Sequence, residues 1–430
     1  MKRELLRLAV PNIIANLSIP LLGLVNVAVL AHLDSTTYLA AVSLTGVIFN
    51  FILWSFGFLR MATTGITAQG FGAKDRNEIS SALYRSFTIS IFLGILIILF
   101  RNQLLSFGVF FLQPNSSILP IMQEYYDIRV FVIPASLLNF VIIGWLLGMQ
   151  DSVAAMLMIV VENLVNVLLN LYFVVGLGMK ADGVALGALI AGWTTLLFGI
   201  SMLIIRHRKI IEKPVVKLIF IMSKLKRVLT LNVNIFIRSF SLLMVFSWFT
   251  YASSKYGNDV LAINTLLMQF LMFFSFFIDG FSYAGESLSG KYLGAGKIKS
   301  LKITVKILFK WASVMAFVFS FFYLVAGNWI ISLLTDNEIL IEMAMSRKIW
   351  VVIIPIVSFA AFVWDGVFAG TTHAAAMRNV MLVAVVCVFF PLYFLLQNIF
   401  PETNLWIAFI AFFVARSVGM TIARPRFLRK

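Results

Sequence analysis

The second half of the chain repeats the sequence pattern of the first half. Residues 39–44 (LAAVSL) return as 261–266 (LAINTL), and residues 71–73 (FGA) return as 293–295 (LGA), both at an offset of 222. Residues 130–134 (VFVIP) return as 351–355 (VVIIP), at an offset of 221. Internal repeats in membrane chains are typical of secondary transporters, in which two similar helical bundles share a cavity. The repeat therefore predicts two bundles, and the polar residues inside them must decide the function.

The composition indicates that the solvent of this chain is a lipid bilayer. Of its 430 residues, 61% are hydrophobic and 12% are charged, and the mean hydropathy is +0.99. Soluble domains carry about 25% charged residues, and a soluble fold of this size could not hide so much apolar surface. We therefore predict an all-α membrane protein with twelve transmembrane helices, arranged in two six-helix bundles related by a parallel internal repeat. The predicted spans are 8–31, 36–60, 80–100, 125–149, 153–176, 181–205, 228–253, 258–288, 300–325, 345–370, 376–398 and 403–423.

The charge distribution predicts the orientation of these helices. In a soluble protein a net charge of +16 would point to nucleic acid as the partner. Here most of the 34 lysines and arginines fall on one side of the predicted spans. By the positive-inside rule that side is cytoplasmic, so we expect both termini in the cytoplasm and the protein in the inner (plasma) membrane. The expected surroundings are the lipid bilayer and no nucleic acid, with the chain acting as a monomer.

The predicted domains are two six-helix lobes joined by a basic segment. The lobes comprise residues 1–205 and 228–430, and the linker comprises residues 206–227. Eight lysines and arginines alternate with aliphatic residues in the linker. This pattern is typical of an amphipathic segment on the inner leaflet. A passive tether is the first interpretation, and a regulatory or lipid-sensing role is the second.

Ionisable residues within the predicted spans need a physical reason. Each costs about 2.5–3.5 kcal/mol at the bilayer centre on insertion scales. Our count gives four acids and two bases, and this surplus of two negative charges favours a cationic cargo over the phosphates of a lipid-linked precursor. The six residues are Arg60, Glu162, Arg238, Asp279, Glu286 and Asp365.

Three of the acids lie in the second half of the chain. Asp279 and Glu286 are seven residues apart with Tyr283 between them. Helical geometry places all three on one face, with the carboxylates roughly 10.5 Å apart along the axis. Asp365 lies in the matching late part of span ten. Because an intramembrane carboxylate can exchange a proton or bind Na⁺, we predict ion coupling here. A structural ion pair between Asp279 and an intramembrane arginine is the alternative.

Span five carries a polar stripe whose members fall within about 100° of one another on the helix. Interhelical hydrogen bonding is the alternative interpretation for its asparagines. An unpaired carboxylate in a span is costly, so Glu162 is predicted to take part in ion coupling. The residues predicted to line the cargo cavity are Asn26, Asn163, Asn166, Asn170, Arg60, Arg238 and Tyr283.

The sequence contains no motif of an enzyme or of a metal site. A zinc-protease motif, a Cys/His cluster and a nucleophile elbow are all missing, and the three histidines are widely scattered. We therefore predict no catalytic residue, no metal and no cofactor, with H⁺ or Na⁺ as the coupling ion. The expected partner is a small-molecule substrate.

Several of these segments resemble one transporter family. Residues 58–73 (FLRMATTGITAQGFGA) resemble the span-two signature of the DinF-like branch of the multidrug and toxic compound extrusion (MATE) family. Residues 22–25 (LGLV) and 31–35 (AHLDS) fit the same branch, as do residues 279–281 with Glu286, and Asp365 with the following glycines. The resemblance covers the whole chain. It implies two six-helix lobes, export of organic cations by H⁺ or Na⁺ antiport, and a cation-binding role for Asp365.

The chain departs from that family pattern in its first half. Family members commonly carry aspartates where this chain has Asn26 and Asn170, and those acids are held to form a proton site. Asparagine keeps the size of aspartate but cannot titrate. Glu162 lies two helical turns from Asn170, roughly 12 Å away. We hypothesise that Glu162, or the acids of the second half alone, took over the coupling.

Two other functions remain open at this point. The same superfamily of folds includes flippases for lipid-linked saccharides, which would need a cationic cavity. A non-transporting receptor or membrane scaffold is the third hypothesis. It would need no matched polar residues in the spans and leaves the parallel repeat unexplained.

Overall fold

The structure, a computed structural model, describes residues 1–31, 35–213, 221–401 and 403–429. Residues 32–34, which belong to one of the family-like segments, and 214–220 of the predicted linker lie outside the described residues. Within these ranges the structure does not describe seven side chains, those of Leu24, Asn26, Val27, Leu30, Ala31, Thr36 and Arg429.

Twelve helices in the described part of the chain are long and apolar enough to cross a membrane, and this part contains no β-strand. The predicted fold class is therefore confirmed. The helices of the first half are α1 (Lys2–Ala31), α2 (Thr36–Phe56), α3 (Phe58–Ala73), α4 (Arg76–Leu99), α5 (Arg101–Leu112), α6 (Leu119–Arg129), α7 (Ile133–Gly148), α8 (Ser152–Asn170) and α9 (Ala181–His207). Those of the second half are α10 (Met222–Lys255), α11 (Asn258–Gly294), α12 (Ile298–Leu334), α13 (Glu338–Arg347), α14 (Ile349–Gly370), α15 (Ala374–Val383), α16 (Phe390–Leu396), α17 (Thr403–Ala423) and α18 (Arg426–Arg429).

Short irregular segments interrupt three of the spans. A 3₁₀ turn, Val130–Val132, separates α6 from α7. π-helical segments extend α8 through Leu171–Gly176 and connect α15 to α16 through Ala384–Phe389. These two spans, the fifth and the eleventh, occupy equivalent places in the repeat. At an offset of 222 the first π-helical segment corresponds to residues 393–398, so the two segments lie at different heights of these spans and the repeat does not extend to them.

The chain divides into two compact units. The N-terminal unit comprises Ile14–Leu229, and the C-terminal unit comprises Met1–Ile13 together with Thr230–Lys430. The two boundaries thus fall inside α1 and α10. The first turns of α1 pack in the C-terminal unit, where Gly280 of α11 leaves room for Ala9 and Ile13. In the same unit Glu4 accepts hydrogen bonds from Lys291 and from the hydroxyl of Tyr292, the latter at 2.7 Å.

Paired glycines allow the closest helix contacts in both units. A Cβ on Gly144 of α7 would collide with the carbonyl oxygen of Arg60 in α3, and Gly148 of the same helix is equally crowded by Thr67. In the C-terminal unit Gly366 and Gly370 of α14 meet backbone oxygens of α11 in the same way. Because glycine lets two backbones approach closely, these helix pairs form the densest part of each unit.

The described parts of the linker are bound to the N-terminal unit. The Ser80 hydroxyl accepts from the amide of Glu212 at 2.9 Å, and Tyr84 donates to the Glu212 carbonyl at 3.0 Å. Farther along, Lys224 forms an ion pair of 2.6 Å with Glu78. These contacts attach both ends of the linker to the beginning of α4.

Candidate functional site

The polar stripe of α8 is present in the N-terminal unit, and most of its asparagines are engaged in hydrogen bonds. Asn163 donates to the Ser18 hydroxyl of α1 at 2.6 Å. Asn170 donates to the side-chain oxygen of Asn166 at 3.0 Å, and both of these amides are buried. The stripe therefore connects α8 to α1 and bonds within itself. The side chain of Asn26, which was predicted to join it, lies outside the description.

Asn170 occupies a space that a neighbouring glycine creates. A Cβ on Gly187 of α9 would overlap the side-chain oxygen of Asn170. Asn170 is completely buried, and α8 packs closely on α9. A small residue of α9 thus makes room for a polar group of α8.

Glu162 differs from the asparagines of its helix. It forms no hydrogen bond and no ion pair with the residues that the structure describes. The apolar residues Leu164 and Leu168 are 55% and 56% exposed. They lie about 200° and 240° around the helix from Glu162, which therefore lies on the opposite side of α8, next to buried Asn166. A single carboxylate without a counter-charge is the distinctive feature of this unit.

Asp365 in α14, by contrast, accepts hydrogen bonds from two arginines. Arg416 of α17 donates to Oδ2 of Asp365 at 2.9 Å, and Arg238 of α10 donates to the same oxygen. Asp365 is 4% exposed and Arg416 is 1% exposed. We call these three residues the Asp365 triad. The predicted coupling carboxylate of span ten is thus held in a buried ionic network within the C-terminal unit.

Some polar atoms of the Asp365 triad remain without a hydrogen-bond partner in the described part of the chain. These are Oδ1 of Asp365 and the Nε atoms of Arg238 and Arg416. The rings of Phe412 and Phe413 lie 5.4 and 5.6 Å from the Arg416 guanidinium. Two aromatic faces therefore help to stabilise its charge away from water.

The three predicted residues of span eight lie along the single helix α11. Glu286 is buried, whereas Asp279 and Tyr283 are partly exposed. The carbonyl oxygen of Glu286 is the group that crowds Gly370 of α14. The charge of Asp279 acts on Arg416. Asp279 and the Asp365 triad therefore belong to one electrostatic environment.

Arg416 and Arg85 were missing from the sequence-based count of charges within spans. The predicted spans 80–100 and 403–423 include both positions, but the count of charges grouped Arg416 with the C-terminal end and Arg85 with the connection after span two. The structure places both inside spanning helices with side chains 1% exposed, Arg85 forming a 3.3 Å ion pair with Glu78. Arg85 is compensated by Glu78 of the same helix, whereas Arg416 adds one buried base to the count. The predicted surplus of two negative charges is therefore too large, and the argument against an anionic cargo that rested on it is weaker. The signal for Arg416 was a single charge amid the apolar run of residues 403–423.

A further ionic cluster lies where α8 begins. The Asp151 carboxylate accepts from Arg206 at 2.8 Å and from the amide of Ala154 at 3.2 Å, and His207 lies 3.0 Å away. Burial alone raises the pKa of Asp151, but the hydrogen bonds from His207 and Ala154 and the charge of Arg206 outweigh it. The pKa of Asp151 therefore lies below its ordinary value. This carboxylate both caps α8 and fixes the end of α9.

The chemistry open to the two units differs. The N-terminal unit offers a lone carboxylate beside amides, which can take up and release a cation. The C-terminal unit offers a charge network that is already paired. Among the described residues, no group of three or more His, Cys, Asp or Glu side chains could hold a metal ion.

Comparison with known proteins places this architecture in a family. The MatE family model matches residues 11–172 and 235–395. DNA damage-inducible protein F of Escherichia coli K12 is 35% identical over 422 residues, which cover 97% of this chain and 91% of that protein.

Solved structures show the same fold. A multidrug resistance MATE family transporter of the MOP superfamily, in an outward-facing conformation, superposes with a TM-score of 0.91 at 19% identity, covering 100% of this chain and 97% of the other. A MOP superfamily transporter from Pyrococcus furiosus, described as having a binding pocket of reversed polarity that suggests a different function, gives 0.89 at 19% identity with the same coverage. With two matched repeats, twelve spanning helices and a relative that is 35% identical along nearly its whole length, this chain belongs to the MatE family of multidrug efflux transporters, in its DinF-like branch.

Proposed function

We propose that this protein exports amphipathic, cationic small molecules by antiport against H⁺ or Na⁺. It works by alternating access as a monomer in the inner membrane, with both termini in the cytoplasm. Family membership supports transport of small molecules across a membrane. The observation that carries the antiport proposal is Glu162, an intramembrane carboxylate without a described partner.

The surroundings of Glu162 support a role in ion exchange. An ionised carboxylate in a span is costly unless it is paired or solvated, so its charge must change or be compensated during the cycle. The amides beside it are already engaged, Asn163 with Ser18 and Asn166 with Asn170. A hard metal cation needs several oxygen ligands, whereas a proton needs one. The geometry therefore favours H⁺ over Na⁺ as the ion that Glu162 carries.

Efflux from proteoliposomes tests this proposal. The purified protein is reconstituted, a fluorescent lipophilic cation such as ethidium is loaded, and a pH gradient or a Na⁺ gradient is imposed separately. We expect efflux with the pH gradient and none with the Na⁺ gradient. Efflux that responds to neither gradient would eliminate antiport.

Substitution of single acids then identifies the coupling residue. Glu162→Gln is expected to reduce gradient-driven efflux to the level of empty liposomes, because glutamine cannot take up a proton. Asp279→Asn and Glu286→Gln test the two other predicted coupling acids outside the Asp365 triad. Glu124→Gln, on an exposed side chain of α6, is the matched control and should behave like the unchanged protein. If Glu162→Gln retains full coupling, the assignment to Glu162 is wrong.

A second function has support from the buried arginines. The buried base Arg416 weakens the charge argument against a cargo with a phosphate group. A structural relative with the same fold is described as having a pocket of reversed polarity, so this fold is compatible with cargoes of either sign. Flipping of a fluorescent lipid-linked saccharide in the same proteoliposomes, measured by reduction of the exposed label, tests this alternative.

A further inference from the structure

The Asp365 triad contains one carboxylate and two guanidinium groups, and Arg416 had no predicted role. We propose that Arg416 is a positioning residue that, with Arg238, acts as a built-in cation for Asp365, so that Asp365 is a fixed charge and does not exchange the coupling ion. This inference rests on the proposed antiport and refines it. It separates the carboxylate that exchanges the coupling ion, Glu162, from one that does not, Asp365.

The geometry of hydrogen bonding is the first argument. Both arginines donate to the same oxygen of Asp365, Oδ2. A proton or Na⁺ at that oxygen would have to displace a guanidinium that is tethered to its own helix. Because the arginines come from α10 and α17 and the carboxylate from α14, displacement would also separate three helices that belong to one unit. Charge-assisted bonds of this kind are among the strongest in proteins.

Burial is the second argument. Arg416 is 1% exposed and Asp365 is 4% exposed, so neither group has access to water that could replace its partner. Removing one member of a buried ion pair leaves an uncompensated charge in a medium of low dielectric, which is far more costly than keeping the pair. Arg238 has a side-chain exposure of 12% and is the more accessible of the two arginines. Arg416 is therefore the partner of Asp365 that is more completely shielded from water.

Asp365, Asp279, Arg238 and Arg416 balance one another in charge without an external ion. α14 packs against α11, α12, α15 and α17. The pair Asp365 and Asp279 carries two negative charges, and Arg238 and Arg416 carry two positive ones. Arg378 of α15 donates to Asn234 at 2.6 Å. The other charged groups on these helices are Asp259, Glu286 and Lys291 of α11 and the lysines Lys299, Lys302, Lys306 and Lys310 of α12.

A cycle of four proteins tests the inference: the unchanged chain, Asp365→Asn, Arg416→Gln and the double variant D365N/R416Q. Thermal unfolding in detergent is measured first. We expect each single variant to lower Tm. The double variant should lose less than the sum of the two single losses, because Arg416→Gln removes a guanidinium that Asp365→Asn has left without its carboxylate, while Arg238 is present in all four proteins. Strictly additive losses would mean that the two side chains do not interact and would overturn the proposal.

The pH profile of cargo efflux is measured next, since a merely structural role would not change it. Arg416→Gln is expected to add a second pH-dependent limb, because Asp365 then keeps only Arg238, the more accessible of its two partners. The double variant is expected to lose that limb and to keep the profile of the unchanged protein. Arg426→Gln, an exposed arginine of α18, is the matched control and should change nothing.

The outcome that overturns the inference is a folded double variant whose efflux no longer follows the pH gradient, because Asp365 would then be the exchange site. Failure of the proposed function looks different. In that case the unchanged protein itself shows no gradient dependence, while the cycle of Tm values still reports whether Arg416 and Asp365 are coupled.

Discussion

The two units have the same backbone contacts but different charges along them. Gly144 in α7 and Gly366 in α14 occupy equivalent places in the repeat, and each faces a backbone carbonyl of its partner helix. At the same offset Ile143 of the N-terminal unit corresponds to Asp365, and Thr64 corresponds to Glu286. Thr64 only donates to the carbonyl of Arg60 within its own helix, at 2.9 Å. The acids of the C-terminal unit thus stand where the N-terminal unit has neutral residues.

The first helix of each half shows the same divergence. Asn12 corresponds to Asn234, but Asn16 corresponds to Arg238, a member of the Asp365 triad. Positions where two backbones touch have no freedom, because any Cβ would overlap a carbonyl group. Side chains that project from the same helices are free to change charge. The comparison teaches that the duplicated scaffold fixes packing, whereas each unit acquired its own electrostatics.

A helix break also distinguishes the units. The helix α2 ends at Phe56, and α3 begins at Phe58. Between them the Gly57 amide donates to the Trp54 carbonyl at 3.3 Å in a tightened turn. The equivalent of Gly57 is Asp279, in the middle of the continuous helix α11. The position of Gly57, where one helix is interrupted, thus corresponds to the acid Asp279 within a continuous helix of the other unit.

The largest expected effect concerns the contacts that the two units share. Gly144→Ala and Gly366→Ala should each destabilise the protein by about 3 kcal/mol, because the new Cβ overlaps a backbone oxygen that cannot move aside. Unfolding in mixed micelles measures the loss. Gly46→Ala is the control, because no atom lies within 4 Å of its added Cβ. Unequal losses in the two units would break the equivalence of their packing.

A medium effect concerns the Asp151 cluster. Because the folded-state pKa of Asp151 is lowered, its stabilisation is fully present above the unfolded-state pKa and is lost as the pH falls through the folded-state value. Asp151→Asn should therefore cost about 1–2 kcal/mol at neutral pH. The difference from the unchanged protein should shrink in strong acid. A loss that is independent of pH between 7 and 3 would show that the ionic contacts do not contribute.

The smallest effect concerns the helix cap at the equivalent position of the other unit. Asp151 caps α8 through its side chain, whereas His373 precedes α15 without a side-chain bond to the helix. His373→Asp should supply the missing cap and stabilise the protein by about 0.5–1 kcal/mol. A small rise of Tm in detergent is the expected readout. An unchanged or lower Tm would indicate that the bond between the His373 ring and the Thr371 carbonyl matters more.

Most of the fold could be predicted because the bilayer leaves few choices. Every backbone polar group in hydrocarbon must be satisfied within its own segment, so long apolar runs become helices. The helix ends were less predictable. The helix α3 continues to Ala73 and α11 to Gly294, well past the predicted span ends at 60 and 288, because amphipathic turns beyond the hydrocarbon continue a helix without adding hydropathy.

The candidate site was predicted only in its parts. Glu162 and the asparagines of α8 share a face, as helical geometry required. The partners of Asp365 come from residues 127 and 51 positions away, so no local pattern could reveal them. Arg416 lies within the predicted span 403–423 but was counted with the C-terminal charges, because proximity to the C-terminus was mistaken for exposure.

The amino-acid order alone determined the number of membrane helices, the duplication, the family and the chemical types available inside the membrane. Local periodicity and hydropathy contain that information, because each helix satisfies its own backbone. The tertiary structure alone decided which carboxylate has a counter-charge. Pairing between distant helices depends on how they pack, and the same aspartate is a proton carrier or a fixed anion according to the side chain that reaches it.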